Sequence, residues 1–190
     1  MIEGEAINGF GDSDLGLKYG LTSASSKIQI AATLTFGLPL GETAGGTQRN
    51  LQTGDGEFNQ ILQFDASTSF SIGDNATIYG TSTIGFNNRS NGFSDEFRYG
   101  YEIGLGLFDS KLWLVGKLTG VESFRNGSLS GEINSTSIFA NNSEHTSITA
   151  EVAYYITPKF GLAVSYASAF RGEIIFADPS YSVGVFVDLK

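Results

Sequence analysis

Side chains of opposite character alternate along most of this chain. Between positions 27 and 40, Ile28, Ile30, Ala32, Leu34, Phe36 and Leu38 fall on one face of an extended backbone. Gln29, Ala31, Thr33, Thr35 and Gly37 fall on the other, because successive strand residues point to opposite sides. A helical period would mix the two sets on every face, so the segment predicts a strand. The same two-residue period recurs. Leu62, Phe64, Ala66, Phe70 and Ile72 oppose Gln63, Asp65, Ser67, Ser69 and Ser71. Ile78, Ile84 and Phe86 oppose Thr77, Tyr79, Thr81 and Thr83. Phe97, Tyr99, Tyr101, Ile103, Leu105 and Leu107 oppose Glu96, Arg98, Gly100, Glu102, Gly104 and Gly106. Leu112, Leu114 and Leu118 form another apolar set, which Trp113 and Val115 interrupt. Positions 148–156, 160–170 and 181–189 complete the series, and Leu15, Leu17, Tyr19 and Leu21 open it. About nine strands result, most near or above the ~9–11 residues that cross a bilayer obliquely.

The connections alternate in length. Short turns fall at 22–26, 73–75, 109–110 and 157–159, and long polar links at 41–57, 87–95, 124–143 and 172–179. Tight periplasmic turns and long external loops are the asymmetry of an outer-membrane barrel, and a soluble sandwich has no reason to keep that order. The pattern predicts one all-β domain over 1–190, an antiparallel up-and-down transmembrane β-barrel of nine or ten strands. Residues 1–10 read as a loop or as the remnant of an upstream strand. Nine is an odd number, whereas bacterial single-chain barrels have an even one. The first clear strand begins outside, and the last runs down to Lys190 on the periplasmic side. The expectation is that strands upstream complete the barrel; the alternative is a short, poor strand at 2–10 that makes it self-contained.

Composition decides which face meets what. Gly at 25 residues and Phe at 15, with only 3 Pro, favour strands over helices. The face opposite the apolar one is mostly Gly, Ala, Ser and Thr, where a soluble barrel would carry many Lys and Glu. Small residues suit a narrow interior, so Asp14, Lys18, Asp65, Arg98, Glu102, Lys117 and Glu151 are expected to line a lumen. On the apolar face Phe36, Phe86, Phe97, Tyr99, Phe160, Phe170 and Tyr181 lie near strand ends, as lipid-facing girdles do. Eleven Lys and Arg against 20 Asp and Glu, a net charge of −9, argue against nucleic acid as a partner. No apolar run reaches the ~20 residues of a membrane helix. Residues 1–5 do not read as a charged signal-peptide start leading into an apolar stretch.

Little in the chain suggests catalysis. There is no Cys, hence no disulfide framework or thiolate metal site, and His145 is the single histidine. Ser143, Glu144 and Ser147 flank His145, but adjacent strand residues point to opposite faces, so they form no triad. The acidic stretches at 11–14 and 54–57 lack the ligand spacing of a calcium loop and read as turn chemistry. Asn-x-Ser/Thr at Asn75, Asn88, Asn126, Asn134 and Asn141 is expected by chance in so Asn- and Ser-rich a sequence. No catalytic residue, metal or cofactor is expected.

One stretch, Gly9-Phe10-Gly11-Asp12-Ser13-Asp14-Leu15-Gly16-Leu17-Lys18-Tyr19, carries a resemblance. It resembles a Gly-x-Gly-Asp…Leu-Gly-x-Lys-Tyr strand of the meta-pathway phenol-degradation outer-membrane proteins, which are FadL-like barrels. The closing strand from Tyr181 to Leu189 is also similar to theirs. The resemblance implies passage of hydrophobic or aromatic compounds, with this signature lying well inside the chain after earlier strands. The terminal Lys190 departs from the usual terminal aromatic of barrel-assembly signals. Passive, porin-like transport of small solutes across a Gram-negative outer membrane is therefore the leading expectation. A structural or surface-interaction barrel with a closed lumen is the alternative, and a lipid-modifying outer-membrane enzyme a third. Outer-membrane lipid is the expected partner, with a small-molecule solute in the transport case. Oligomeric state is left open.

Overall fold

The computed structural model describes residues 6–47, 49, 51–129, 140–175 and 178–189, which hold strands, turns and loops but no helix. The strands are β1 (Ser13–Gly20), β2 (Ile28–Leu38), β3 (Asn59–Ile72), β4 (Ala76–Arg89), β5 (Glu96–Leu107), β6 (Leu112–Ser123), β7 (Glu144–Thr157), β8 (Phe160–Glu173) and β9 (Ser180–Val187). They form one sheet in sequence order, and every neighbouring pair is antiparallel. The up-and-down order read from the alternation is thus present. Residues 6–10 of the suggested extra strand are not in a strand, and residues 2–5 of it lie outside the described residues.

The sheet is open. β1 pairs only with β2 and β9 only with β8, so these nine strands do not by themselves make the closed barrel expected from the sequence. The reason is directional. In an antiparallel series an odd strand count leaves the first and last strands pointing the same way, and β1 cannot meet β9 in the antiparallel ladder used everywhere else.

Register puts each alternating set on one face. Lys18, Thr33, Gln63 and Gly85 follow one another across β1–β4, and Gly104, Val115, Glu151 and Ser165 across β5–β8. Burial runs opposite to that of a globular protein. Among the described residues only Val115 and Ala140 are buried apolar side chains, whereas Glu57, Asn87, Ser94, Glu96, Asn141, Glu144 and Thr146 are buried polar ones. Leu17, Ile103 and Val183, all on the apolar face, are 68%, 57% and 82% exposed. The chain exposes 12382 Å², where a water-soluble protein of this mass exposes about 8,800 Å². Among the described residues no apolar core exists, and the polar face is the more enclosed of the two.

Candidate functional site

The polar face carries its charges in two levels. The upper level lies at the long-loop end. Arg89, the last residue of β4, places its Nε 2.8 and 2.9 Å from the two oxygens of Glu57 and its Nη1 2.6 Å from Glu96. All three side chains are less than a tenth exposed. The Arg89 guanidinium also stands 4.6 Å from the centre of the Phe93 ring. Glu96 accepts from Arg98 at 2.7 Å and from the amide of Asn87 at 3.2 Å. Asn87 donates in addition to Asn59 at 2.8 Å, while its own Oδ1 is buried without a partner. Two buried carboxylates thus share one buried and one half-exposed guanidinium, an arrangement that holds only while all the charges are paired.

At mid-height on the same face, Lys18 meets Asp65 at 2.8 Å, and Asp65 also accepts from Gln63 and Thr83. Lys117 lies between Glu102 at 3.4 Å and Glu151 at 3.6 Å, and the Tyr79 hydroxyl donates to Glu102 at 2.6 Å. The expected lumen residues therefore share one face but divide into groups. Lys18 joins Asp65, Lys117 joins Glu102 and Glu151, Arg98 turns to Glu96 instead of Glu102, and Asp14 stands opposite Gly37.

Of the expected girdle, Phe36, Phe86, Phe97, Tyr99 and Phe170 lie on the apolar face toward the long-loop end. Phe36 stacks on Phe58 and Phe97 on Tyr99, while Phe86 meets Phe124 with the ring planes tilted. Phe160 starts β8 at the short-turn end, and Tyr181 packs against Tyr166 part-way along that strand. Above the aromatic residues runs a charged rim absent from the sequence expectation. Arg171 meets Glu122 at 2.5 Å and Glu144 at 3.3 Å, and Arg125 joins Glu144 to Glu173. Parity alone would send Arg171 to the polar face with Ala169. A bulge between Thr146 and Ser147 makes Phe170 the extra residue and pairs Arg171 with Thr146, which turns it outward. Glu144 is thereby engaged on the face opposite to its neighbour His145.

The loops are fastened by carboxylates. Asp12 accepts from the backbone N–H of Gly41 and of Asp55 at 2.9 and 3.0 Å, and Gly54 packs so close to it that a Cβ would overlap the carboxylate. Asp95 accepts from the Arg89 backbone N–H and from the Asn126 and Asn88 amides. Of the link at 124–143, residues 130–139, with the Asn134 sequon, lie outside the described residues, as does Lys190. Burial pushes the Asp55 carboxyl up, and the neighbouring Asp12 charge adds to this. The Arg89 N–H, followed by the Asn126 amide, holds Asp95 below the usual carboxylate range. A raised acid favours the folded loop as pH falls from neutral toward its ordinary value of 3.8. A lowered acid gives its stability above 3.8 and loses it as pH falls below that value. Amide exchange should therefore show the Glu57 N–H, which the Asp55 carboxylate accepts, losing protection at a higher pH than the Arg89 N–H, which loses it only below 3.8. Joint loss near pH 5 would refute the assignment.

Sequence reasoning missed Glu57 and Arg89, assigned to loops, and it gave no role to the aromatic residues of the polar face. Tyr79 and Trp113 face each other there at 5.5 Å, and Tyr155 meets Phe186 edge-on at 4.8 Å. The available signal was Trp113 itself, a ring at a position whose parity belongs to the polar set. Compared with known proteins, the chain matches no family model and no curated protein.

Proposed function

We propose that this chain builds part of the wall of an outer-membrane β-barrel that passes small solutes through its interior without energy coupling. One observation carries the reading: the burial pattern is reversed, with apolar side chains exposed and ion pairs enclosed. In lipid, exposed Leu, Ile, Val and Phe are in their preferred solvent, and the charged face needs an aqueous or paired environment. Strand length supports this as well. Fourteen residues, as in β3, β4, β7 and β8, extend about 46 Å, enough to cross a ~30 Å hydrocarbon layer at the tilt of a barrel. The aromatic residues at the long-loop end and the alternation of short and long connections agree with this. The likeness of the 9–19 stretch to FadL-like barrels favours a hydrophobic or aromatic solute.

The wall closes when further strands join β9 to β1, and both edges point the same way, so their number is odd. A second copy in the same membrane orientation would bring β9 beside β1 in parallel and does not meet this requirement.

The test is conductance across planar bilayers by the purified protein encoded by the complete reading frame. Stable unitary steps support the pore. Silence from protein inserted in the bilayer would overturn it in favour of a closed structural or surface-interaction barrel. Lys117 between two carboxylates and the Arg89 cluster, which fill part of the polar face, are the features that favour this second reading. A folded, detergent-free monomer in water would overturn both.

A further inference from the structure

Charged residues are sorted along the strand axis. Among the described residues every arginine, Arg49, Arg89, Arg98, Arg125 and Arg171, lies at the long-loop end, whereas the lysines stand at mid-height or at the short turns. The short-turn end is balanced, since Lys27, Lys111 and Lys159 are matched in number by Asp74, Asp109 and Asp188. The long-loop end is not. Arg89 and Arg98 are engaged by Glu57 and Glu96 on the polar face, and Arg125 and Arg171 by Glu122, Glu144 and Glu173 on the rim. Asp12, Asp14, Glu42, Asp55, Asp95 and Asp178 form no ion pair with a described residue, and Arg49 is the one arginine left to offset them. At mid-height Lys18 and Asp65 cancel, but Lys117 stands between two carboxylates, Glu102 and Glu151. The excess negative charge of the described residues therefore lies at the outer mouth and midway along the polar face.

An ion moving along the polar face meets this field at the entrance and again inside. Uncompensated carboxylates raise the local concentration of cations and lower that of anions, and Asp and Glu rings select cations in channels. The cation-to-anion ratio depends on twice the potential. Half a kT along the path gives about threefold, where charged protein surfaces reach several kT.

We infer that the pore favours cations over anions and that the carboxylates of the long-loop end set the preference. The inference rests on the transport reading and deepens it, for the solutes admitted are cationic or neutral and anions are held back. Asp12, Asp55 and Asp95 also fasten the loops by accepting backbone N–H groups. Asp14, Glu42 and Asp178 are the carboxylates whose charge can be removed with least disturbance. Glu42 accepts one backbone N–H, from Ala44, which a glutamine oxygen would accept as well.

The full protein is placed in planar bilayers under a potassium chloride gradient, and the reversal potential is read. The two ions have nearly equal mobilities, so the potential reports the selectivity of the pore. The expected result is potassium over chloride by at least about threefold near 0.1 M. The ratio narrows toward unity near 1 M, where the screening length falls from about 10 Å to about 3 Å. Asp14→Asn, Glu42→Gln and Asp178→Asn together roughly halve the low-salt ratio and leave the conductance at ~1 M unchanged. The salt dependence of the unaltered protein keeps the test independent of how the variant folds. A ratio at or below one in the unaltered protein overturns the inference and leaves the pore. A ratio that the triple variant does not move also overturns it, because the preference then belongs to other strands of the wall. Absence of conductance removes the transport reading and this inference with it.

Discussion

Arg89→Met will destabilise the folded protein by about 3–5 kcal/mol, measured by urea titration of protein folded in lipid vesicles, because it strands two buried carboxylates at once. Glu57 and Glu96 both lean on this guanidinium, at 2.8 and 2.6 Å. Arg98 reaches only Glu96, so among the described residues Glu57 keeps no cation. Methionine fills much of the volume, which separates lost charge from lost packing. Glu57→Gln added to Arg89→Met should recover part of the loss, since an amide in the same place carries no charge to bury. A double-mutant cycle then yields the coupling between the two residues. The deficit is also pH-dependent. Burial already pushes the Glu57 carboxyl up even with Arg89 beside it, and without the arginine it rises further. The variant is therefore worst at neutral pH and recovers as falling pH protonates Glu57. A loss below about 1 kcal/mol would show the cluster to be a solvated rim, since exposed ion pairs are worth no more than that.

That cluster marks where the sequence stops being legible. Strand identity and face are written in the two-residue period, so alternation alone assigns Lys18, Asp65, Glu102, Lys117 and Glu151 to one face. It does not assign their partners, because pairing depends on register between strands, and register is fixed by side-chain sets on both partners together with the turns. Arg98 shows the gap. It shares a strand and a face with Glu102, yet its partner is Glu96, because Lys117 stands opposite Glu102 in the ladder. Arg171 shows a second kind of gap, for one bulge reverses its face and nothing in the local sequence announces a bulge. Trp113 and Val115 show a third. They break the alternation of β6 because an enclosed face can hold apolar groups too, and the glycine that makes room for Trp113, Gly106, lies on the neighbouring strand. Closure is half legible. The odd strand count can be read from the pattern, and the open edges at β1 and β9 are its geometrical consequence.

Leu118 and Thr119 supply the sharpest test of which face meets lipid, for they are adjacent in β6 and point to opposite sides. Leu118 lies on the apolar face between Tyr101 and Ile148, and Thr119 on the polar face between Gly100 and Ser147. Both stand away from the turns and well inside the ladder. If the apolar face lies in the bilayer, Leu118→Arg will cost about 2–4 kcal/mol of folding stability in lipid vesicles, the penalty for a guanidinium near the membrane midplane of a barrel. Thr119→Arg will cost a small fraction of that, since its guanidinium enters a face that already holds Glu102, Lys117 and Glu151. A water-facing apolar side inverts the order. Arginine at 118 would then be harmless or solubilising, and arginine at 119, although Thr119 itself is exposed in this open sheet, would lie on the face turned away from water and carry the larger cost. The two substitutions introduce the same side chain one residue apart on the same strand, so strand propensity and unfolded-state effects nearly cancel in the comparison. The sign of the difference therefore reports the environment of the faces alone. A Leu118 penalty that shrinks when the vesicles are made from shorter-chain lipid would tie it to depth in the hydrocarbon, because thinning the layer brings the guanidinium closer to water.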